Sequence, residues 1–252
     1  MQPPPFSTQQ HALFLDFDGT LAAIAPQPSA VQLIAGMPQL LLNVQRMLGG
    51  ALAIVTGRSI AEIDNFLSPL VLPVAGQHGA QRRCTSGQLQ HTDLSLASAQ
   101  HAFLLRAAGL LADQHSALHL EPKAAGFALH YRSAPALADQ CWDALAPLLD
   151  RTPAWALVRG QYGLELRPSA VDKGRAVHSY MQEAAFAGRT PVFVGDDAAD
   201  EDGFVAAQQA GGYGIKVGAG PSAAQAHLDS PVQVHAWLAQ IGAEPVDPRA
   251  AP

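Results

Sequence analysis

The stretch Leu13–Ala22, LFLDFDGTLA, ends an apolar run on two carboxylates, Asp16 and Asp18, followed at once by Gly19 and Thr20. With Ala12 before it, the run is continuously apolar instead of alternating, the pattern of a strand buried on both faces of a parallel sheet. On that reading Asp16 stands at the carboxyl end of the strand and Asp18 two residues on, at the edge where such sheets bind ligands. Carboxylates crowded there repel each other unless a cation lies with them. Oxygen ligands of this kind suit Mg²⁺, which takes one or two carboxylates, keeps waters and bridges to substrate phosphate. Asp16 is then a candidate nucleophile on phosphorus, and Asp18 a candidate acid and base that protonates the leaving oxygen and later activates water. The competing reading is an Asp-Gly turn of no catalytic consequence, so the rest of the chain decides.

Outward from this strand, a helical pattern runs from Pro38 to Leu48, Gly49 and Gly50 end it, and a second buried run, ALAIVTG, follows. SIAEIDNFL opens a helix at Ser59 with a Glu three residues on, the spacing of a capping box. LPVAG reads as a further short strand. From about His78 to Arg167 the pattern changes. QRRCTSGQLQHT reads as a hairpin turning at Ser86-Gly87, and Leu96 to Gln114 as an amphipathic helix. LHLEPKAAGFALHYR reads as two strands, ALADQCWDALAPLLD as a helix, and WALVRGQYGLELRP as two more strands. After Asp172-Lys173-Gly174 the alternation of helix and apolar strand resumes, through PVFVGDD and GYGIKVG, to a last helix near Val234 to Ile241. The expectation is an α/β fold: a doubly wound, mostly parallel Rossmann-like core made of residues 1–77 and 168–252, with an α+β cap, 78–167, inserted into it.

Composition narrows the partners. At 252 residues, with 48% hydrophobic and 14% charged residues, the chain is long enough for a sizeable core and unlike a disordered one. A formal charge of −6 with its fifteen Lys and Arg scattered argues against a nucleic-acid surface. No apolar run approaches the length that spans a bilayer, and the N-terminus lacks the features of a signal peptide, so a cytoplasmic protein is expected. Cys84 and Cys141 lie far apart with neither disulfide nor zinc spacing.

Three further pieces carry chemistry. Val55-Thr56-Gly57-Arg58 closes the second strand with a hydroxyl and a backbone amide, which suit a phosphate oxygen. Asp172-Lys173-Gly174 puts a cation at the start of a helix, against the helix dipole, which points to an anionic partner. VFVGDDAADEDGF ends a buried strand on Asp196 and Asp197, with Asp200, Glu201 and Asp202 close behind. Acids beside an apolar strand need a counter-charge, and Asp196 is the expected metal ligand, with Asp197 in the outer shell or a second ligand. For Asp200 to Asp202, acids favoured by the first turn of a helix compete equally with a functional reading.

DFDGT, VTGR, the DKG lysine and GDDAADEDGF, in this order and at strand ends, resemble the haloacid dehalogenase superfamily of phosphotransferases, and the inserted block resembles its large α/β cap. The closer resemblance, over residues 12 to 218, is to the trehalose-6-phosphate phosphatase family, through LDFDGTLA, IVTGRS, AGQHGA, EPKAAGFALHYR, LELRP and GDDAADEDGF. It implies that Asp16 is the nucleophile and Asp18 the general acid and base, with Thr56 and Lys173 on the transferring phosphoryl group. It implies Mg²⁺ on Asp16, the backbone carbonyl of Asp18 and Asp196, with Asp197 supporting. Arg58, Gln77, His78 and Gly79 would line the entrance, and Glu121, Lys123, His130, Arg132 and Glu165 would face the sugar. Hinges are expected near Gly76 to Gly79 and Arg167 to Ser169. The implied substrate is trehalose 6-phosphate, with a trehalose-6-phosphate synthase as pathway neighbour. The chain departs from the family spelling at Ala199, Gln81 and Pro122, none of them a presumed nucleophile, acid or metal ligand. The alternatives are a phosphomannomutase-like phosphotransferase, a phosphatase of another sugar phosphate, and a sugar-phosphate sensor without turnover.

Overall fold

Residues 1–25, 30–93, 98–160 and 162–243 are described by the structure, a computed structural model. The apolar run that opens the argument is β1 (His11–Leu15), with Ala12 to Leu15 fully buried. It pairs in parallel with β2 (Leu52–Val55) on one side and β10 (Thr190–Gly195) on the other, with Leu15 opposite Ile54 and Val194. Beyond β2 lies β3 (Val74–Gly76); beyond β10 lie β11 (Tyr213–Val217) and β12 (Ala226–Leu228), all parallel. Chain order therefore departs from β1 in two directions. The crevice where such a sheet reverses is where its ligands bind, and Asp16 and Asp196 follow the two strands that flank it.

The helices of this sheet are α1 (Met37–Met47), α2 (Ile60–Leu67), α5 (Lys173–Tyr180), α6 (Glu201–Gln209) and α7 (Pro231–Gly242). Ser59 caps α2 through the expected box with Glu62, and Asp172 caps α5 by accepting from Arg175 N. α5 packs on α6 and α1 on α7. One continuous apolar cluster, with Phe14, Phe186, Tyr180, Phe193 and Phe204 in it, fills the space between sheet and helices.

The hairpin β4 (Gln81–Arg83) and β5 (Leu89–His91) departs from expectation. It was expected inside the insert beginning at residue 78, yet β4 pairs antiparallel with β3 and extends the first sheet to eight strands, ordered β12-β11-β10-β1-β2-β3-β4-β5. An alternating hairpin reads the same from sequence in whichever sheet it joins. The chain leaves the first sheet only after His91, so the expected hinge at Gly76 to Gly79 falls within that sheet.

The second sheet is antiparallel, ordered β6-β7-β9-β8, from β6 (His119–Lys123), β7 (Gly126–His130), β8 (Trp155–Arg159) and β9 (Gly163–Pro168). α3 (Ser98–Gln114) and α4 (Ala138–Leu145) pack on it and on each other. It has its own apolar cluster, which includes Leu104, Phe127, Leu129, Cys141, Trp155, Leu164 and Leu166. α3 starts at Ser98; the expected start at Leu96 and the proline-containing C-terminal tail lie outside the described residues. β12, a short strand after the Gly218–Pro221 turn, had no distinct signal in the sequence.

Candidate active site

Asp16 follows β1 and is 4% exposed. Its Oδ1 accepts from Lys173 Nζ at 2.8 Å, and the same ammonium donates to Asp200 Oδ1 at 2.7 Å. Lys173 is the first residue of α5 and is itself buried, so the anionic partner that its position implied is present within the chain. Asp200, fully buried, also accepts from the backbone N–H groups of Asp196 and Asp197 at 2.9 and 3.0 Å. One oxygen of each of Asp16, Asp196 and Asp200 lies within 4.8 Å of the others, and Asp196 Oδ1 is buried with no hydrogen-bond partner.

Burial, partly offset by Lys173 and reinforced by Asp196 and Asp197, pushes the Asp16 carboxyl up to about 8. Burial, with Asp200 and Asp197 close, likewise pushes Asp196 up to about 8. Asp200 is raised well above its ordinary value, by burial first and then by Asp16. Burial alone would lower Lys173, but Asp16 and Asp200 hold it well above the usual lysine range. One ammonium thus faces three crowded carboxyls, and burial with mutual repulsion disfavours their being ionised together. Three carboxylates that each offer an oxygen, one of them orphaned, suit a small divalent cation.

The side chains of Asp197 and Asp18 have partners of their own, which leaves the expected Asp18 carbonyl ligand and the supporting place of Asp197 as they were. Asp197 Oδ1 accepts from Ala199 N at 2.9 Å, capping the turn that leads into α6, and does not join the three-carboxylate cluster. The Asp18 carboxylate is turned to Arg58, whose Nε and Nη2 donate to its two oxygens at 2.6 and 2.7 Å. Asp200 is the residue that the sequence left undecided: an acid at the first turn of a helix is accounted for by the dipole alone, and only burial separates the two readings. Lys216 on β11 was missed; its Nζ donates to the carbonyl of Asp196 and, at 2.8 Å, to that of Val217.

A cavity of about 780 Å³ opens over these acids, and both sheets line it. Asp16, Asp18, Thr56, Arg58, His78, Lys173, Asp196 and Asp197 come to it from the first sheet and its loops. Glu121, Lys123, His130, Arg132 and Glu165 come from the second. His119 and Tyr162 join them without having been expected, Tyr162 with the Arg132 guanidinium 4.6 Å from its ring centre. Gln77 and Gly79 do not line it. Gln77 is buried in the turn that carries His78, and Gly79 backs onto Ala176 and Asp172. His78, at a left-handed φ of 56°, projects its Nε2 to 2.7 Å from Glu165 Oε2. Lys123 Nζ bonds the other oxygen of Glu165 and also the Gly57 carbonyl at 3.3 Å. Burial opposes the charge of Glu165, but His78 and Lys123 outweigh it and hold this carboxyl well below the ordinary range. Burial likewise opposes the charge of Lys123, and Glu165 outweighs it, raising the lysine. Glu121 is lowered by its hydrogen bond from His130, at 2.8 Å.

Residues 14–234 match the family model described as trehalose-phosphatase. The chain belongs to that family. Among its relatives, the Escherichia coli (strain K12) trehalose-6-phosphate phosphatase is 39% identical over 241 residues, covering 94% of this chain and 88% of the relative. A probable trehalose-phosphate phosphatase of Sinorhizobium fredii is 38% identical over 210 residues, covering 82% and 77%. The C-terminal domain of Candida albicans trehalose-6-phosphate phosphatase superposes with a TM-score of 0.83 at 20% identity, over 93% of this chain and 92% of that one. Among the other structures of this fold are phosphatases of the haloacid dehalogenase superfamily. As a member of the trehalose-phosphatase family, the chain is a phosphoric monoester hydrolase, with an α/β core of the haloacid dehalogenase type.

Proposed function

We propose that the chain hydrolyses trehalose 6-phosphate to trehalose and inorganic phosphate, through a phosphorylated Asp16. The observation that carries this reading is the shared cavity, with buried Asp16 and Lys173 on one side and the polar wall of the second sheet on the other. A neutral disaccharide offers hydroxyls alone, so a selective pocket must hydrogen-bond them with carboxylates and cations, as Glu121, Lys123, His130, Arg132 and Glu165 can. The 39% identity to a relative of that name supports the same substrate. In a cell, such a substrate is supplied by glycosyl transfer to a sugar phosphate, the reaction of a trehalose-6-phosphate synthase.

Asp16 attacks phosphorus in line with the departing sugar oxygen while Lys173 and Thr56 steady the phosphoryl oxygens. Asp18 gives its proton to that oxygen and then takes one from the water that releases phosphate. The residues fit Mg²⁺, which Asp16, Asp196, Asp200 and the Asp18 carbonyl would hold. When bound it neutralises charge on the phosphoryl oxygens and keeps Asp16 ionised. The second sheet shields the reacting atoms from bulk water until the sugar leaves.

The test is phosphate release from a panel of sugar phosphates, with and without Mg²⁺. Turnover of trehalose 6-phosphate that requires the metal, needs no bisphosphate activator and disappears in Asp16→Asn is the expected result. Phosphate delivered to a sugar hydroxyl would make the chain a phosphomannomutase-like transferase, and no turnover on any member would make it a sensor.

A further inference from the structure

Arg58 was expected at the entrance as a contact for the substrate. It lines the cavity, and its guanidinium holds Asp18 by both oxygens, at 2.6 and 2.7 Å, in the two-pronged geometry that fixes the plane of a carboxylate. The guanidinium carbon lies 5.0 Å from the ring centre of Phe66 and 5.7 Å from that of Phe17. Its Nη1 reaches Glu62 Oε1 at 3.4 Å, and Glu62 is itself tied to Ser59 N and Ser59 Oγ at 2.9 and 2.6 Å. The Arg58 side chain is 9% exposed and that of Asp18 38%. The guanidinium is the more enclosed partner and the carboxylate the more exposed one.

With both oxygens accepting from the guanidinium, neither is turned toward a reacting oxygen. The phosphatase reading, on which this inference rests, nevertheless needs Asp18 to protonate a leaving oxygen. We propose that Arg58 is the positioning residue for Asp18: one Asp18 oxygen stays on the guanidinium during each proton transfer while the other turns to the reacting oxygen. In the first half-reaction the bond from phosphorus to the sugar oxygen breaks and the bond to Asp16 forms. The proton on the free Asp18 oxygen passes to the sugar, and the resulting carboxylate returns to the fork with both oxygens. In the second, water gives its proton to Asp18 and its oxygen to phosphorus, and the bond to Asp16 breaks. The doubly held carboxylate of the structure is thus the arrangement between the two transfers.

The test compares the full-length wild type with Asp18→Asn, Arg58→Met, Arg58→Lys and the double variant Asp18→Asn/Arg58→Met. kcat/KM is measured on trehalose 6-phosphate and on p-nitrophenyl phosphate, whose leaving group departs without a proton. A positioned general acid contributes about 10²-fold or more, so Arg58→Met should lose about that factor on the sugar ester and less than about tenfold on the aryl ester. Arg58→Lys should follow it, because a flexible ammonium lacks the planar fork that orients the carboxylate. In the Asp18→Asn background the same change should cost less than about twofold, the mark of two residues acting through one interaction. Inhibition by trehalose should stay unchanged in Arg58→Met. Equal losses on both esters, an additive loss in the double variant, or weakened trehalose inhibition would each overturn the proposal, the last restoring the entrance role. If Arg58→Met does not fold, full sugar-ester activity in Arg58→Lys overturns it as well. An Asp18→Asn enzyme with equal losses on the two esters would instead sink the assignment of Asp18 as the acid, so the two failures are distinguishable.

Discussion

Gly19 follows Asp18 at a φ of +79°, and a Cβ placed on it would lie 2.0 Å from Asp196 Oδ2. The turn after β1 has no side chain there because the carboxylate from the neighbouring strand occupies that space. Gly19→Ala should therefore cost about 1–2 kcal/mol for the left-handed backbone alone, and displacing Asp196 should remove most turnover; melting and phosphate release measure both. The buried acids predict a second behaviour. Asp16 and Asp196 hold their protons to about pH 8 in the folded, metal-free chain, against an ordinary value of 3.8. Between those values the folded chain binds more protons than the unfolded one. Their contribution to stability is full below the lower value and is lost as pH rises through the upper. A cation replaces those protons, so the gain in melting temperature on adding Mg²⁺ to chelator-treated protein should grow from about pH 5 to about pH 8; a gain that shrinks would contradict the protonated cluster. Asp16 and Asp196 were legible because each ends an apolar run. Asp200 stayed undecided there, because its burial and its bonds to two backbone amides are tertiary facts.

Glu165 shows what the elements add. It sits on β9, where GLELRP alternates half-buried and buried, and the register sets it opposite Ala128 of β7 and Val158 of β8. From there it meets Lys123 of β6 and His78 of the turn after β3, so one carboxylate joins the two sheets. Its pKa is held well below the ordinary 4.5. The stability it contributes is therefore present above that value and lost as pH falls through the depressed one. Glu165→Gln should flatten the acid side of the melting profile while also weakening the sugar ester as a substrate. A profile as steep as wild type would show that the contact does not hold the sheets together. The alternation of GLELRP was readable. That Glu165 would find a histidine some 87 residues earlier was not, for pairing across sheets leaves no periodicity. The hairpin of β4 and β5 is the same lesson reversed: its turn was visible, and its sheet was not.

At the scale of the whole molecule, the two sheets have separate apolar clusters. Leu129, fully buried in the second, should on truncation to Ala cost about 2–5 kcal/mol. Hydrogen exchange should then quicken across β6 to β9 and leave β1 and β10 protected, since opening follows the unit that has lost contacts. Exchange that quickens equally in both sheets would make the chain one cooperative unit. The change of pattern after residue 77 announced a second unit, and the register of β4 on β3 moved where it starts. The pairing of β1 with β10 reaches beyond stability. His11 to Leu15 lie against Thr190 to Val194, so the strand that leads into Asp16 must wait for a partner made well over a hundred residues later. Contacts of such long separation form slowly and leave strand edges exposed meanwhile. Asp16, Lys173 and Asp196 cannot meet until β10 has been made, and a nascent chain arrested before residue 190 carries Glu121, Lys123, His130, Arg132 and Glu165 of the cavity wall without the carboxylate cluster they face.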